Sequence, residues 1–122
     1  MLVLFRMGEL LDKKVCESKL GAIDDALYAI GGKWKLKIII ALKEGNKRFN
    51  ELQRALDISA RMLSRELKDL ELNGFVDRKV FTDTPVIIEY ELTDYSNSLS
   101  EILEALSSWG IKHREKLIEE RS

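Results

Sequence analysis

Apolar residues recur along this chain with two periods, about 3.6 residues through most of its length and about 2 in one stretch near residue 80. Ala22 to Ile30 reads as a helix, Gly31-Gly32 breaks it, and Lys33 to Lys43 restarts it. The restarted helix carries a dense apolar face of Trp34, Leu36, Ile38, Ile39, Ala41 and Leu42 and ends at Gly45. Asn50 can cap a third helix, with Gln53 placed like the third residue of a capping box and Leu52, Ala55 and Leu56 facing inward. Asp57-Ile58 then forms a tight turn into a fourth helix, opened by Ser59 as N-cap and closed by Gly74. On that helix Leu63, Leu67 and Leu70 share one stripe, and Arg61, Arg65 and Lys68 point nearly the other way. Leu72 falls with the cations and has no evident partner.

After Gly74 the period changes. Val76, Arg78 and Val80 alternate with Asp77, Lys79 and Phe81; Val86, Ile88, Tyr90 and Leu92 alternate with Ile87, Glu89 and Glu91. Thr82-Asp83-Thr84-Pro85 joins the two runs as a hairpin turn, and Arg78 and Glu89 are candidates for a cross-strand pair. Thr93 can cap a last helix whose stripe of Leu99, Ile102, Leu103, Leu106, Trp109 and Leu117 is more apolar surface than a small core needs. Two short helices with a basic outer face, followed by a hairpin, predict a mainly α winged helix-turn-helix with a small β-hairpin and added N- and C-terminal dimerisation elements. The expected divisions of one domain over 1–122 are an arm over 1–20, a DNA-binding core over 22–92 with its wing near 75–92, and a dimerisation helix over 94–119.

A length of 122 residues, 45% hydrophobic, suffices for one core and is short for two. The apolar start Met1 to Phe5 is interrupted by Arg6 and Glu9, too soon for a signal-peptide core, and no stretch is long enough to span a bilayer; a cytoplasmic protein is expected. A single cysteine, Cys16, excludes an internal disulfide within one chain and suits a reducing compartment. Lys13 and Lys14 favour its thiolate and Glu17 opposes it, so an inert thiol is the simpler reading. The net charge of −1 conceals an asymmetry: Lys33 to Lys68 holds ten basic against four acidic residues, and Asp83 to Ser122 nine acidic against four basic. A basic middle on an acidic remainder suits a DNA-facing surface. His113 has no carboxylate or thiol at helical spacing to complete a metal site, and no nucleophile-base pair or glycine-rich phosphate loop is evident. No metal, cofactor or catalytic activity is expected.

The ordered set Ile30-Gly31-Gly32-Lys33-Trp34-Lys35-Leu36, Arg48 to Leu52, Ile58-Ser59, Met62-Leu63-Ser64, Leu67 to Glu71, Gly74 to Arg78, Pro85, Glu89 to Thr93 and Trp109-Gly110 resembles the HxlR-type winged helix-turn-helix regulators, which are distantly similar to MarR proteins. The likeness runs from about Ala22 to Gly110. It implies a homodimeric transcriptional regulator bound to a pseudo-palindromic operator. Two departures matter. Many relatives carry a Cys-Pro pair where this chain has Gly21-Ala22, so a sensing role does not transfer to Cys16. Relatives often have two prolines after the wing tip, whereas this chain has Thr84-Pro85, and Asp83 puts an acid near phosphate.

The expected partner is therefore double-stranded DNA, met by a homodimer; the sequence names no effector. Arg61 and Arg65 are the candidates for base readout, with Ser59, Met62 and Ser64 beside them on the same helix, and Lys68 and Lys79 are candidates for phosphate. Lys33 and Lys35, near the start of the second helix, can meet phosphate or stand in solvent, and Trp34 is expected in the core. The alternative is a winged helix that binds protein; an apolar outer face on the Ser59 helix would have favoured it.

Overall fold

The computed structural model describes residues 17–121, and two compact units divide between Lys33 and Trp34. In the first unit, helix α1 covers residues 17–30, so the helix expected from Ala22 already exists at 17. The arm expected over 1–20 and Cys16 otherwise lie outside the described residues. Gly31 ends α1 with its N–H on the Leu27 carbonyl at 2.7 Å, and a Cβ there would run into that oxygen; Gly32 follows at φ +95°. Both glycines of the break are thus required by geometry.

The second unit runs α2 (Lys35–Lys43), α3 (Phe49–Leu56), α4 (Ala60–Leu72), β1 (Val76–Phe81), β2 (Ile87–Leu92), a 3₁₀ segment (Asp94–Leu99) and α5 (Ser100–Arg121). Helix α2 buries Ile38, Ile39, Ala41 and Leu42. Trp34 sits at its N-cap and is only half-buried, with the Lys37 ammonium 5.1 Å from the ring centre, so the ring lies at the edge of the core and not within it. Helix α3 starts one residue before the expected cap Asn50. The carboxylate of Glu51 accepts the Arg48 N–H at 2.9 Å, supplying from the third position what Gln53 was expected to supply.

Strands β1 and β2 are antiparallel, with Val76 opposite Leu92, Arg78 opposite Tyr90 and Lys79 opposite Glu89. Lys47, in the α2–α3 connection, adds a short bridge by exchanging backbone hydrogen bonds with Tyr90 at 2.8 and 3.2 Å. The core lies where α2, α3, α4 and the root of this hairpin meet. Ile38, Ile39, Leu52, Leu63 and Leu70 are fully enclosed, with Ile58, Leu67, Phe75 and Val76 almost so.

Thr93 does not cap a continuous final helix. Its hydroxyl donates to the Gly74 carbonyl at 2.6 Å and its N–H to that of Phe75 at 3.1 Å, fastening the end of β2 to the end of α4. The 3₁₀ segment intervenes, Tyr95 stacks on Phe75 at 5.2 Å, and only then does α5 begin. Leu99 and Leu103 are buried in this unit's own core, whereas Ile102, Leu106, Trp109 and Leu117 of the same expected stripe are exposed.

Candidate nucleic-acid interface

Helix α3 stops because Asp57 takes a left-handed conformation, φ +52°, which aspartate tolerates better than most residues. Ile58 then buries its side chain, and Ser59 caps α4 by accepting the Met62 N–H on its hydroxyl at 3.2 Å. At the other end Gly74, φ +82°, donates to the Glu71 carbonyl and Phe75 to that of Leu70, which closes the helix as a Schellman motif. Both ends of α4 are thereby held by backbone geometry that its own sequence specifies.

Around α4 the side chains sort into sectors at about 100° per residue. Leu63, Leu67 and Leu70 are buried. Arg61, Arg65 and Lys68 share the outward sector with Leu72, which is 77% exposed. None of the three cations makes an ion pair among the described residues. Ser59 and Ser64 are exposed beside them, and Met62 is half-buried. Lys33 is exposed and closes the first unit, so it is not placed relative to this surface.

One edge of α4 is acidic and is already occupied. Lys35, expected near phosphate, lies with its ammonium 2.7 Å from Glu66 and 3.6 Å from Asp69, its side chain only 11% exposed. The hydrogen bond to Glu66, with Coulomb attraction to Glu66 and Asp69, holds Lys35 above the ordinary lysine pKa against the desolvation that opposes it. Among the described residues the buried Glu66 Oε2 has no other polar partner. The pair thus ties the start of α2 to the middle of α4. Lys35→Met is expected to cost about 1–2 kcal/mol of unfolding free energy at neutral pH. Because the folded pKa is raised, this contribution is complete below the unfolded lysine value of about 10.4 and is lost as pH rises through the folded pKa. Denaturant titrations of both proteins from pH 7 to 11 check this; an equal gap at both ends would contradict it.

Lys79, the expected wing contact, is also engaged. Its ammonium is 3.0 Å from Glu91, which in turn accepts from the Asn46 side-chain amide at 2.9 Å. Lys79 is raised and Glu91 lowered from their ordinary values, each chiefly by their mutual hydrogen bond. The expected pairing of Arg78 with Glu89 does not occur, because the register sets Arg78 opposite Tyr90. Arg78 instead lines a cleft of about 340 Å³ with Ser64, Leu67, Lys68, Glu71 and Tyr90. The sequence alternation was sufficient to put Arg78 on the face opposite Lys79, but not to say which face met α4.

An interhelical turn of Asp57 to Ser59, a basic outward α4 and a β-hairpin fastened to its C-terminus constitute a winged helix-turn-helix. The profile of the HxlR-like helix-turn-helix family matches residues 29–117. The chain belongs to that family. It is 41% identical over 93 residues to the HTH-type transcriptional regulator YtcD of Bacillus subtilis, covering 75% of this chain and 74% of that one. Among solved structures, the redox regulator HypR in its reduced form superposes with a TM-score of 0.74 at 36% identity, covering 80% of this chain and 98% of HypR. A MarR-family transcriptional regulator from Enterococcus faecalis V583 gives 0.71 at 39% identity, over 83% and 93% of the two chains. The HxlR-like chain is thus a transcriptional regulator with a DNA-binding helix-turn-helix of the MarR-like kind. No helix among its described residues is long and apolar enough to cross a membrane.

Proposed function

We propose that this protein binds specific double-stranded DNA in the cytoplasm as a homodimer, each subunit laying α4 in the major groove of one half of a pseudo-palindromic operator. The observation that carries this reading is the outward sector of α4. Arg61, Arg65 and Lys68 are exposed and, among the described residues, without ion-pair partners, whereas Lys35, Lys47 and Lys79 are paired with carboxylates. Free guanidinium groups can give two parallel hydrogen bonds to guanine, and a free ammonium suits phosphate. A protein-binding helix would present an apolar outer face, and here Leu72 alone is apolar in that sector.

The dimer is supported by α5. Its 22 residues span about 33 Å, yet only Leu103 is buried. Ile102, Leu106, Trp109 and Leu117 recur at spacings of three, four and eight on one exposed side, with His113 stacked 4.9 Å from Trp109. A second subunit covering this stripe would remove a large apolar surface from water.

The direct test is fluorescence anisotropy on the duplex immediately upstream of the protein's own gene, against a scrambled duplex. Arg65→Ala is expected to weaken the matched operator by about 1–3 kcal/mol and to relax preference at one base pair. Equal losses on matched and scrambled DNA would refute base readout by Arg65. Absence of any preference in the unaltered protein, on this duplex and on pools of randomised DNA, would refute sequence-specific binding.

A further inference from the structure

The register of the hairpin gives its two faces opposite character. Residues directly opposite in an antiparallel pair share a face. One face therefore carries Asp77 with Glu91 and Lys79 with Glu89, three acids against one cation. The other carries Val76 with Leu92, Arg78 with Tyr90 and Val80 with Ile88, where Arg78 is the only charge. Val76 is 1% exposed, which turns this second face toward the core at its root and toward α4 one pair further along.

There Arg78 meets the cleft that Ser64 and Lys68 line from α4. Lys68 also belongs to the outward sector of α4, so the cleft is continuous with the surface already assigned to DNA. Glu71 contributes one carboxylate to the lining, leaving two cations against one acid. Neither Arg78 nor Lys68 has an ion-pair partner among the described residues, whereas Lys79 is held by Glu91. A strand of phosphates approaching the acidic face would be repelled, and one approaching the cleft would find a guanidinium, an ammonium and a hydroxyl.

We infer that the cleft between α4 and β1 seats a backbone phosphate of the operator between Lys68 and Arg78, and that the wing meets DNA through Arg78 and not through Lys79. This rests on the DNA-binding reading above and deepens it.

The test compares Arg78→Gln, Arg78→Lys, Lys79→Gln and Glu71→Gln in full-length protein, using a duplex selected from a randomised pool with the unaltered protein, over a potassium chloride series. Arg78→Gln is expected to weaken matched and singly substituted duplexes alike, about 3- to 10-fold, and to flatten the slope of log affinity against log salt by about one. Arg78→Lys should restore the slope. Lys79→Gln should leave the slope unchanged, and Glu71→Gln should tighten every duplex about twofold or more by removing the opposing charge. All three positions are exposed, and melting temperatures near that of the unaltered protein would show intact folds. An unchanged slope and affinity for Arg78→Gln, with Arg65→Ala still losing base preference, would overturn the cleft and leave the DNA-binding reading standing. A unit loss of slope for Lys79→Gln alone would return the wing contact to Lys79. If the unaltered protein selects no duplex, both readings fail together.

Discussion

A chain carrying Leu106→Glu and Trp109→Glu is expected to sediment as a monomer and to lose about 10²–10⁴ of its operator affinity, the usual advantage of engaging two half-sites at once. Both residues are at least half exposed on α5, 50% and 64%, so charging them leaves the subunit's own core intact. Leu103 sits on the same helix but is buried, and a glutamate there would unfold the subunit and so not report on the interface. An isolated helix with an uncovered apolar stripe is marginal in water, so α5 is also expected to fray in the monomer. Analytical ultracentrifugation and far-ultraviolet circular dichroism check both effects. An unchanged mass in a folded double variant would show that this stripe is not the interface, and full affinity in a proven monomer would refute the two half-site arrangement.

Leu67→Ala is expected to destabilise the fold by about 2–5 kcal/mol, a large share of the roughly 5–15 kcal/mol that holds a domain of this size. Leu67 is 2% exposed, lies between Leu63 and Leu70 on the buried stripe of α4, and also forms the floor of the cleft that holds Arg78. The loss combines the transfer of the removed atoms with a cavity that α2, α3 and β1, all packed against α4, cannot close without moving α4. DNA affinity should therefore fall more than the unfolded fraction alone explains. Urea titration at neutral pH gives the stability change; a value under about 1 kcal/mol would mean that the site collapses freely.

The elements themselves were legible in the sequence because helix periodicity, capping and strand alternation are set by residues close together in the chain. The leucine stripe of α4, its Ser59 cap, its Gly74 terminus and the hairpin over Val76 to Leu92 all have such local causes, and the family resemblance added their order. Boundaries shifted where two residues competed for one local role. Glu51 displaced Gln53 because a carboxylate three residues after Arg48 could accept its N–H. At Thr93 a tertiary contact took over instead: its hydroxyl donates to the Gly74 carbonyl at 2.6 Å and so does not cap the segment that follows.

The free or paired state of each cation was a different matter. Lys35 and Glu66 are brought together by the packing of α2 on α4, and nothing near Lys35 in the chain announces an acid. Lys79 and Arg78 are adjacent, and only the strand register, with the side from which α4 covers the hairpin, gives one a carboxylate and the other a cleft. Likewise the last apolar stripe was visible as a whole, yet the fold drew Leu99 and Leu103 inward and left Leu106 and Trp109 outside. Periodicity determined which residues share a side of a helix or strand, since that follows from backbone geometry alone. Tertiary packing decided which side met core, carboxylate or solvent, because ion pairing and burial depend on distances between segments far apart in the chain.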